Sequence, residues 1–323
     1  MSKVLYIILI SLFSLTVISC AKKSDSSSSS SATTTSSPLY ISVGDNGTIL
    51  TSSDGTTWTS RTSGVTENLY GVTYANSTFV AVGDNGTILT SSDNGTIWTS
   101  KTSGTTDNLT GVTYGNSTFV VVGASGTILT SSDATTWTSM TSGKTSHLYG
   151  VTYAYSKFTT VGASGVILHS SDATTWTQRE WGSPEDVFYG VTHGIDKDSK
   201  EIFMLVSDEG GILSFCSDFN CSLSSGETSN QCCNHYGVIF GNSTFVIVGQ
   251  SGTILTTTDV TTRTSMTSGT TDNLTGVTYG NSTFVVVGDN GTIVTSSDAT
   301  TWTSRTSGTS YQLKGVTFTE LTL

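Results

Sequence analysis

Basic residues are scarce in this chain: thirteen Lys and Arg stand against 24 Asp and Glu, giving a formal net charge of −11. Nucleic-acid binding needs clustered Lys and Arg along a phosphate backbone, so nucleic acid is excluded as a ligand, and an anionic lipid surface with it. Beyond residue 20 no long apolar pattern of helical period occurs, which excludes a helical bundle. Proline is nearly absent, with two in 323 residues, while glycine reaches 34. Cysteine is confined to Cys20, Cys216, Cys221, Cys232 and Cys233. What remains is a chain rich in Ser, Thr, Gly and β-branched residues, whose composition points to short strands joined by tight turns.

The first forty residues are set apart. Lys3 is followed by an almost wholly apolar run from Val4 to Ile18, which ends at Val17-Ile18-Ser19-Cys20. That layout reads as a secretory leader, too short for a membrane span. The cysteine directly after a small residue resembles a bacterial lipobox. The resemblance implies cleavage before Cys20, acylation there, and a lipid-anchored protein of the cell envelope, expected in the outer membrane. The alternative is an ordinary leader with an incidental Cys20. Ala21 to Pro38 is nearly pure Ser and Thr, with little to bury, and reads as a tether. The expected organisation is a leader (1–19), a lipidated tether (20–38) and a folded domain (39–323), the last expected to be monomeric.

A repeat organises the rest. Gly-Val-Thr or a close variant recurs at Gly71, Gly111, Gly150, Gly190, Gly237, Gly276 and Gly315, at spacings of 39 to 47 residues. Thr102 to Gly123 and Thr267 to Gly288 are identical over 22 residues. Each unit holds four strand-like runs separated by turn residues, among them Asp-Asn-Gly at Asp45, Asp84 and Asp289; Asn-Gly supplies the positive φ angles of a tight hairpin. Four antiparallel strands per forty residues is one blade of a β-propeller. A parallel β-helix also repeats, but with shorter coils and without such hairpins. Six units are complete. Leu39 to Gly64 supplies three more strands and Gly315 to Leu323 one, so the two ends complement each other. The expectation is an all-β, seven-bladed propeller of four-stranded antiparallel blades, closed by a composite blade.

Between the third and fourth runs stands Ser-Ser-Asp-x-Thr-Thr-Trp or a variant of it. Its aspartates are Asp54, Asp93, Asp133, Asp172, Asp259 and Asp298, and its tryptophans Trp58, Trp98, Trp137, Trp176 and Trp302; Arg263 stands where the sixth tryptophan belongs. The motif resembles the Asp-box (BNR-type) repeat, most closely in the longer copy Ser91 to Trp98. The resemblance covers residues 39 to 323, and implies a structural hairpin clamp away from any active site. Asp-box propellers include sialidases, other glycosidases, sortilin-type receptors and photosystem II assembly-factor proteins. A sialidase needs three converging arginines; the four here, Arg61, Arg179, Arg263 and Arg305, all fall on outer strands. Glu185 and Asp186 are the one carboxylate pair outside the repeat pattern that an ordinary glycosidase could use. The short, undecorated repeats look most like the non-catalytic assembly-factor-like group. No cofactor or metal site is expected.

The residue before each Gly-Val-Thr is Tyr70, Thr110, Tyr149, Tyr189, Tyr236, Thr275 or Lys314. In a propeller these lie near one mouth of the central channel, on the face of the inter-blade connectors. Tyr70, Tyr149, Tyr189, Tyr236 and Lys314 are therefore the candidate binding face, where tyrosines could stack on a sugar or a peptide; packing between blades is the competing role. The fifth blade departs most from the repeat and carries four cysteines. In an exported chain these read as disulfides rather than a zinc site, whose C-x₂-C spacing is missing. A Cys216–Cys221 bridge would replace the clamp of that blade's missing box, with Cys232 and Cys233 left over; a bridge from Cys216 or Cys221 to Cys232 or Cys233 is the rival. The expected function is a lipid-anchored scaffold binding a protein or glycan through one face. The alternative is a glycosidase-like enzyme, and a purely structural surface protein is the third reading.

Overall fold

The computed structural model of the chain describes residues 36–179, 183–219, 222–226 and 233–322. The leader, Cys20, most of the tether, and Cys221 and Cys232 lie outside the described residues. Seven four-stranded sheets follow one another, each with its strands in chain order except the one that joins the two ends. All strand pairs are antiparallel. The protein is a seven-bladed β-propeller.

The second blade shows the plan. Its inner strand is Leu69–Ala75, its second Thr78–Gly83, its third Ile88–Ser91 and its outer Thr99–Lys101. The second and third strands are buried on both faces because a neighbouring blade covers each side. Phe79 and Ala81 pack toward the first blade with Ile41 and Val43, whereas Val80 and Val82 pack toward the third with Phe119 and Val121. The core is thus a ring of seven inter-blade layers, which explains the continuous apolar runs. The outer strand, Thr-Ser-Lys here, is largely exposed.

The first blade is composite. Leu313–Thr322 pairs with Ser36–Gly44 from Ser36↔Thr322 to Val43↔Gly315, and lies innermost. The termini therefore close the ring, and the edge that either fragment would expose alone is covered. One boundary needs correcting. The strand starts at Ser36, so Ser36, Ser37 and Pro38 belong to the blade and not to the tether. Polar residues pair here because strand pairing needs only their backbone; Pro38 sits opposite Glu320.

A Ser-x-Asp turn, with Thr257 in place of the Ser in the sixth blade, closes the outer hairpin of every blade but the fifth on the face opposite the connectors. Asp133 Oδ1 accepts from the Thr135 and Thr136 amides at 2.8 and 2.9 Å and from the Ser131 hydroxyl at 3.0 Å. Asp54, Asp172 and Asp298 repeat this set, and Asp259 takes the two amides and Thr257. In Asp93's longer turn the amides are those of Thr96 and Ile97. These donors favour the ionised form and hold Asp54, Asp133, Asp172 and Asp298 well below the usual carboxylate range. Each tryptophan completes an aromatic row across its blade, such as Tyr74–Phe79–Trp98 with centroids 4.4 and 6.3 Å apart. Trp58, Trp137, Trp176 and Trp302 pack the same way. In the fifth blade Phe219 takes the turn, buried at φ 62° against Phe203, Phe215 and His169 of the fourth blade.

Candidate functional site: the connector-face mouth

The seven inner strands start at Leu69, Leu109, Leu148, Phe188, His235, Leu274 and Leu313. In every blade the register then slips by one residue: Leu69 pairs with Gly83, Gly71 with Val82, and Tyr70 has no partner. The same bulge occurs at Thr110, Tyr149, Tyr189, Tyr236, Thr275 and Lys314. A bulge re-aims the extra residue out of the sheet. The seven positions read from the sequence are therefore the seven bulged residues, arranged as a ring at one mouth of the channel.

The glycine after each bulge makes the ring tight. A Cβ on Gly71, Gly111, Gly150, Gly190, Gly237, Gly276 or Gly315 would lie 2.5 to 3.2 Å from the carbonyl oxygen of the next blade's bulged residue, the last contacting Tyr70. A side chain there would crowd the next strand, most severely at Gly111, Gly276 and Gly315, and glycine leaves room for the approach.

The ring is not uniform. Tyr149, Tyr189 and Tyr236, from the fourth to sixth blades, form one arc: successive centroids are 5.4 Å apart, tilted at 48° and 68°. His147 stacks on Tyr149 at 6.2 Å. Thr110 and Thr275 flank the arc and are turned inward, each hydroxyl donating at 2.6 Å to a carbonyl of the following blade, Leu148 and Leu313. Across the mouth, Lys314 Nζ lies 5.1 Å from the Tyr70 ring centre and 3.2 Å from Asp45 Oδ1. The four tyrosines are thus not one cluster. Three stand together, and the fourth is taken up by the chain's own lysine.

Aspartates rim the mouth. Asp45, Asp84, Asp208 and Asp289 hold the same first position in the turn between second and third strands. Their turns bond the connectors: Asp84 N to Asn68 O at 2.9 Å and Asp289 N to Asn273 O at 2.9 Å. Asn68, Asn108, Asn234 and Asn273 in turn accept the amide of the preceding blade's turn at 3.0 to 3.1 Å. These asparagines were not singled out from the sequence, although their fixed distance before each glycine was a visible signal. Burial, then Asp84, pushes the Tyr70 phenol up to about 12. Burial, Asp208 and the neighbouring Tyr149 and Tyr236 raise that of Tyr189.

The other singled-out residues lie elsewhere. Asp54, Asp93, Asp133, Asp172, Asp259 and Asp298 are on the opposite face, engaged in their own turns. Arg61 and Arg305 are on outer strands of adjoining blades, each Nε donating to a threonine of its own blade, and do not converge with Arg179 or Arg263. Asp186 accepts the Ser183 amide at 2.7 Å within a connector, with Glu185 exposed beside it. Cys216 ends the third strand of the fifth blade and is disulfide-bonded; its expected partner Cys221, and Cys232, which with Cys233 makes up the rival pair, lie outside the described residues. Among the described residues no group of three or more His, Cys, Asp and Glu could hold a metal ion.

Comparison with known proteins agrees with the architecture. The family described as the DUF6242 beta propeller domain matches residues 18–109, under a third of the chain. No curated protein matches. Among solved structures, YCF48 from Cyanidioschyzon merolae is similar with a TM-score of 0.62 and 16% identity, over 81% of this chain and 95% of that one. A structure described as YCF48 bound to D1 peptide gives 0.61 and 15%, over 79% and 89%. The computationally designed Ika8 protein gives 0.54 and 12%, over 84% and 82%. At these identities the likeness is one of fold: the chain is a β-propeller structurally like YCF48.

Proposed function

We propose that this chain is a non-enzymatic binding scaffold, held at the cell envelope by a lipid on Cys20, that takes up a polypeptide at the connector-face mouth. The observation that carries the reading is the ring of seven bulges, which brings three tyrosines of consecutive blades into one half-buried arc. Aromatic side chains with a polar tip are suited to contact both apolar and hydrogen-bonding parts of a ligand at little entropic cost. A structurally similar propeller is described with a bound peptide, which supports a polypeptide over a glycan. We read the Ser-x-Asp turns as Asp-boxes, since each carboxylate is spent on its own hairpin. That use, and the dispersed arginines, weigh against a glycosidase. The leader and Cys20 support export and acylation, with the outer membrane as destination.

A photoreactive p-benzoylphenylalanine at His147, exposed beside the arc, tests the site against the same group at Thr136, exposed on the opposite face. Cross-links to polypeptide from position 147 and none from 136 are expected. Cross-links only from 136 refute the assignment of the face.

A further inference from the structure

The mouth contains one carboxylate–ammonium–ring group, and part of its pattern recurs on the other side. In the first blade, Asp45 in the turn, Lys314 in the bulge and Tyr70 in the next blade's bulge form a carboxylate–ammonium–ring group, with Nζ 3.2 Å from the carboxylate and 5.1 Å from the ring centre. The same repeat positions in the fifth and sixth blades hold Asp208, Tyr189 and Tyr236. Carboxylate and ring recur, but a second tyrosine replaces the lysine. The other two turn aspartates are placed differently. Asp84 precedes Thr110, and Asp289 precedes Lys314 itself, so neither is followed by a ring in the next blade.

We infer that the Tyr149–Tyr189–Tyr236 arc with Asp208 is a subsite for a lysine or arginine side chain of the bound polypeptide. This rests on the reading of the mouth as a polypeptide site and specifies its chemistry. The rings stand 5.4 Å apart at 48° and 68° and are only half-buried, and a ring face left open to the mouth attracts an ammonium or guanidinium. Asp208 is half-buried, accepts the Val187 amide at 3.1 Å, and is close enough to act on the Tyr189 phenol. A carboxylate held there adds direct attraction to that of the rings. Lys144, in the connector that enters the fourth blade, donates to Gln178 on that blade's outer strand. The formal charge of −11 favours a basic ligand over an acidic one at long range. The chain's use of the same arrangement for Lys314 shows that the geometry accommodates an ammonium.

The test titrates the full chain calorimetrically with capped pentalysine, and with capped pentaglutamine as the neutral control. Pentalysine binding at least tenfold tighter is expected. Tyr189→Leu and Asp208→Asn should each weaken it about five- to twentyfold, in keeping with the strength of a partly desolvated cation–π contact. Tyr189→Phe keeps the ring and should stay within twofold, as should Thr136→Ala on the opposite face. Equal affinity for the two peptides, or unchanged affinity in a Tyr189→Leu protein of unaltered circular dichroism, overturns the subsite. Tetramethylammonium competing as well as pentalysine, per cation, overturns the polypeptide as its source. A polypeptide that cross-links from position 147 without preference for basic residues removes the cation subsite and leaves the mouth assignment standing. Loss of all cross-linking there removes both.

Discussion

His235 makes the sixth blade sensitive to acid. It opens that blade's inner strand in the slot where five other blades have leucine and one phenylalanine, and it is 2% exposed. One ring nitrogen bonds the Gly211 backbone, and Nδ1 is buried without a hydrogen-bond partner. Nδ1 suits a neutral imidazole, whose second nitrogen carries no proton, but protonation would place an N–H where no acceptor waits. Burial is the main cause, with Arg263 adding repulsion, and the imidazole pKa falls from 6.5 to about 4. Between those two values the unfolded chain binds a proton that the folded chain does not, so stability rises with pH across that window and is lost on acidification. At about 1.4 kcal/mol per pH unit the loss reaches about 3 kcal/mol by pH 4. The assay is urea unfolding of wild type and His235→Leu at pH 7.5, 6, 5 and 4. Leucine restores the repeat's residue, so the variant should be the more stable throughout, and its advantage should grow by about 2–3 kcal/mol between pH 7.5 and 4. The lowered carboxylates of the outer turns titrate below this window and are common to both proteins. A constant difference across the series would refute the reasoning.

Three further outcomes are expected. A Cβ at Gly115 would overlap the Tyr153 ring of the next blade, so Gly115→Ala should destabilise by about 1–3 kcal/mol and lower Tm by several degrees in thermal unfolding; an unchanged Tm would mean that the ring moves freely. Removing 313–323 takes away the whole inner strand of the first blade, and size-exclusion chromatography should then show aggregation; a soluble monomer with native Tm would count against closure. Cys20→Ala should release the protein from membranes without changing its Tm, and a variant that still needs detergent for extraction would contradict the lipid anchor.

The blade count and the composite closure were legible because hairpin turns and Gly-Val-Thr recur at fixed spacing, and spacing is what a stacked repeat preserves. The bulge was not read, though its mark is present. Leu69 and Val72 are both buried, three residues apart, where an unbroken strand would bury every second residue. The sequence therefore located the ring positions at the mouth without the bulge that sets them there, and grouped four tyrosines where the ring order gives three. Nor could composition reveal that Lys314 occupies Tyr70, since these residues meet only when the last strand closes beside the first. Phe219 was visible but not singled out: Ser217-Asp218-Phe219 aligns with Ser132-Asp133-Ala134, and Ala134 and Phe219 are both buried at positive φ in their turns.

In a repeat protein, positions that only build the fold are copied, and positions that bind need not be. The third and seventh blades share 22 identical residues, including Thr110 and Thr275, whose hydroxyls do the same work of tying one blade to the next. At the equivalent bulges Tyr70, Tyr149, Tyr189, Tyr236 and Lys314 make no such bond; their side chains meet one another or a rim carboxylate. The glycine that follows is nevertheless constant in all seven blades, because every bulge carbonyl presses on it. The backbone of the ring is thereby fixed by packing while its side chains are free to differ. Variation at the bulges does not disturb closure, and this separation lets one mouth carry a lysine-filled site on one side and an open tyrosine arc on the other.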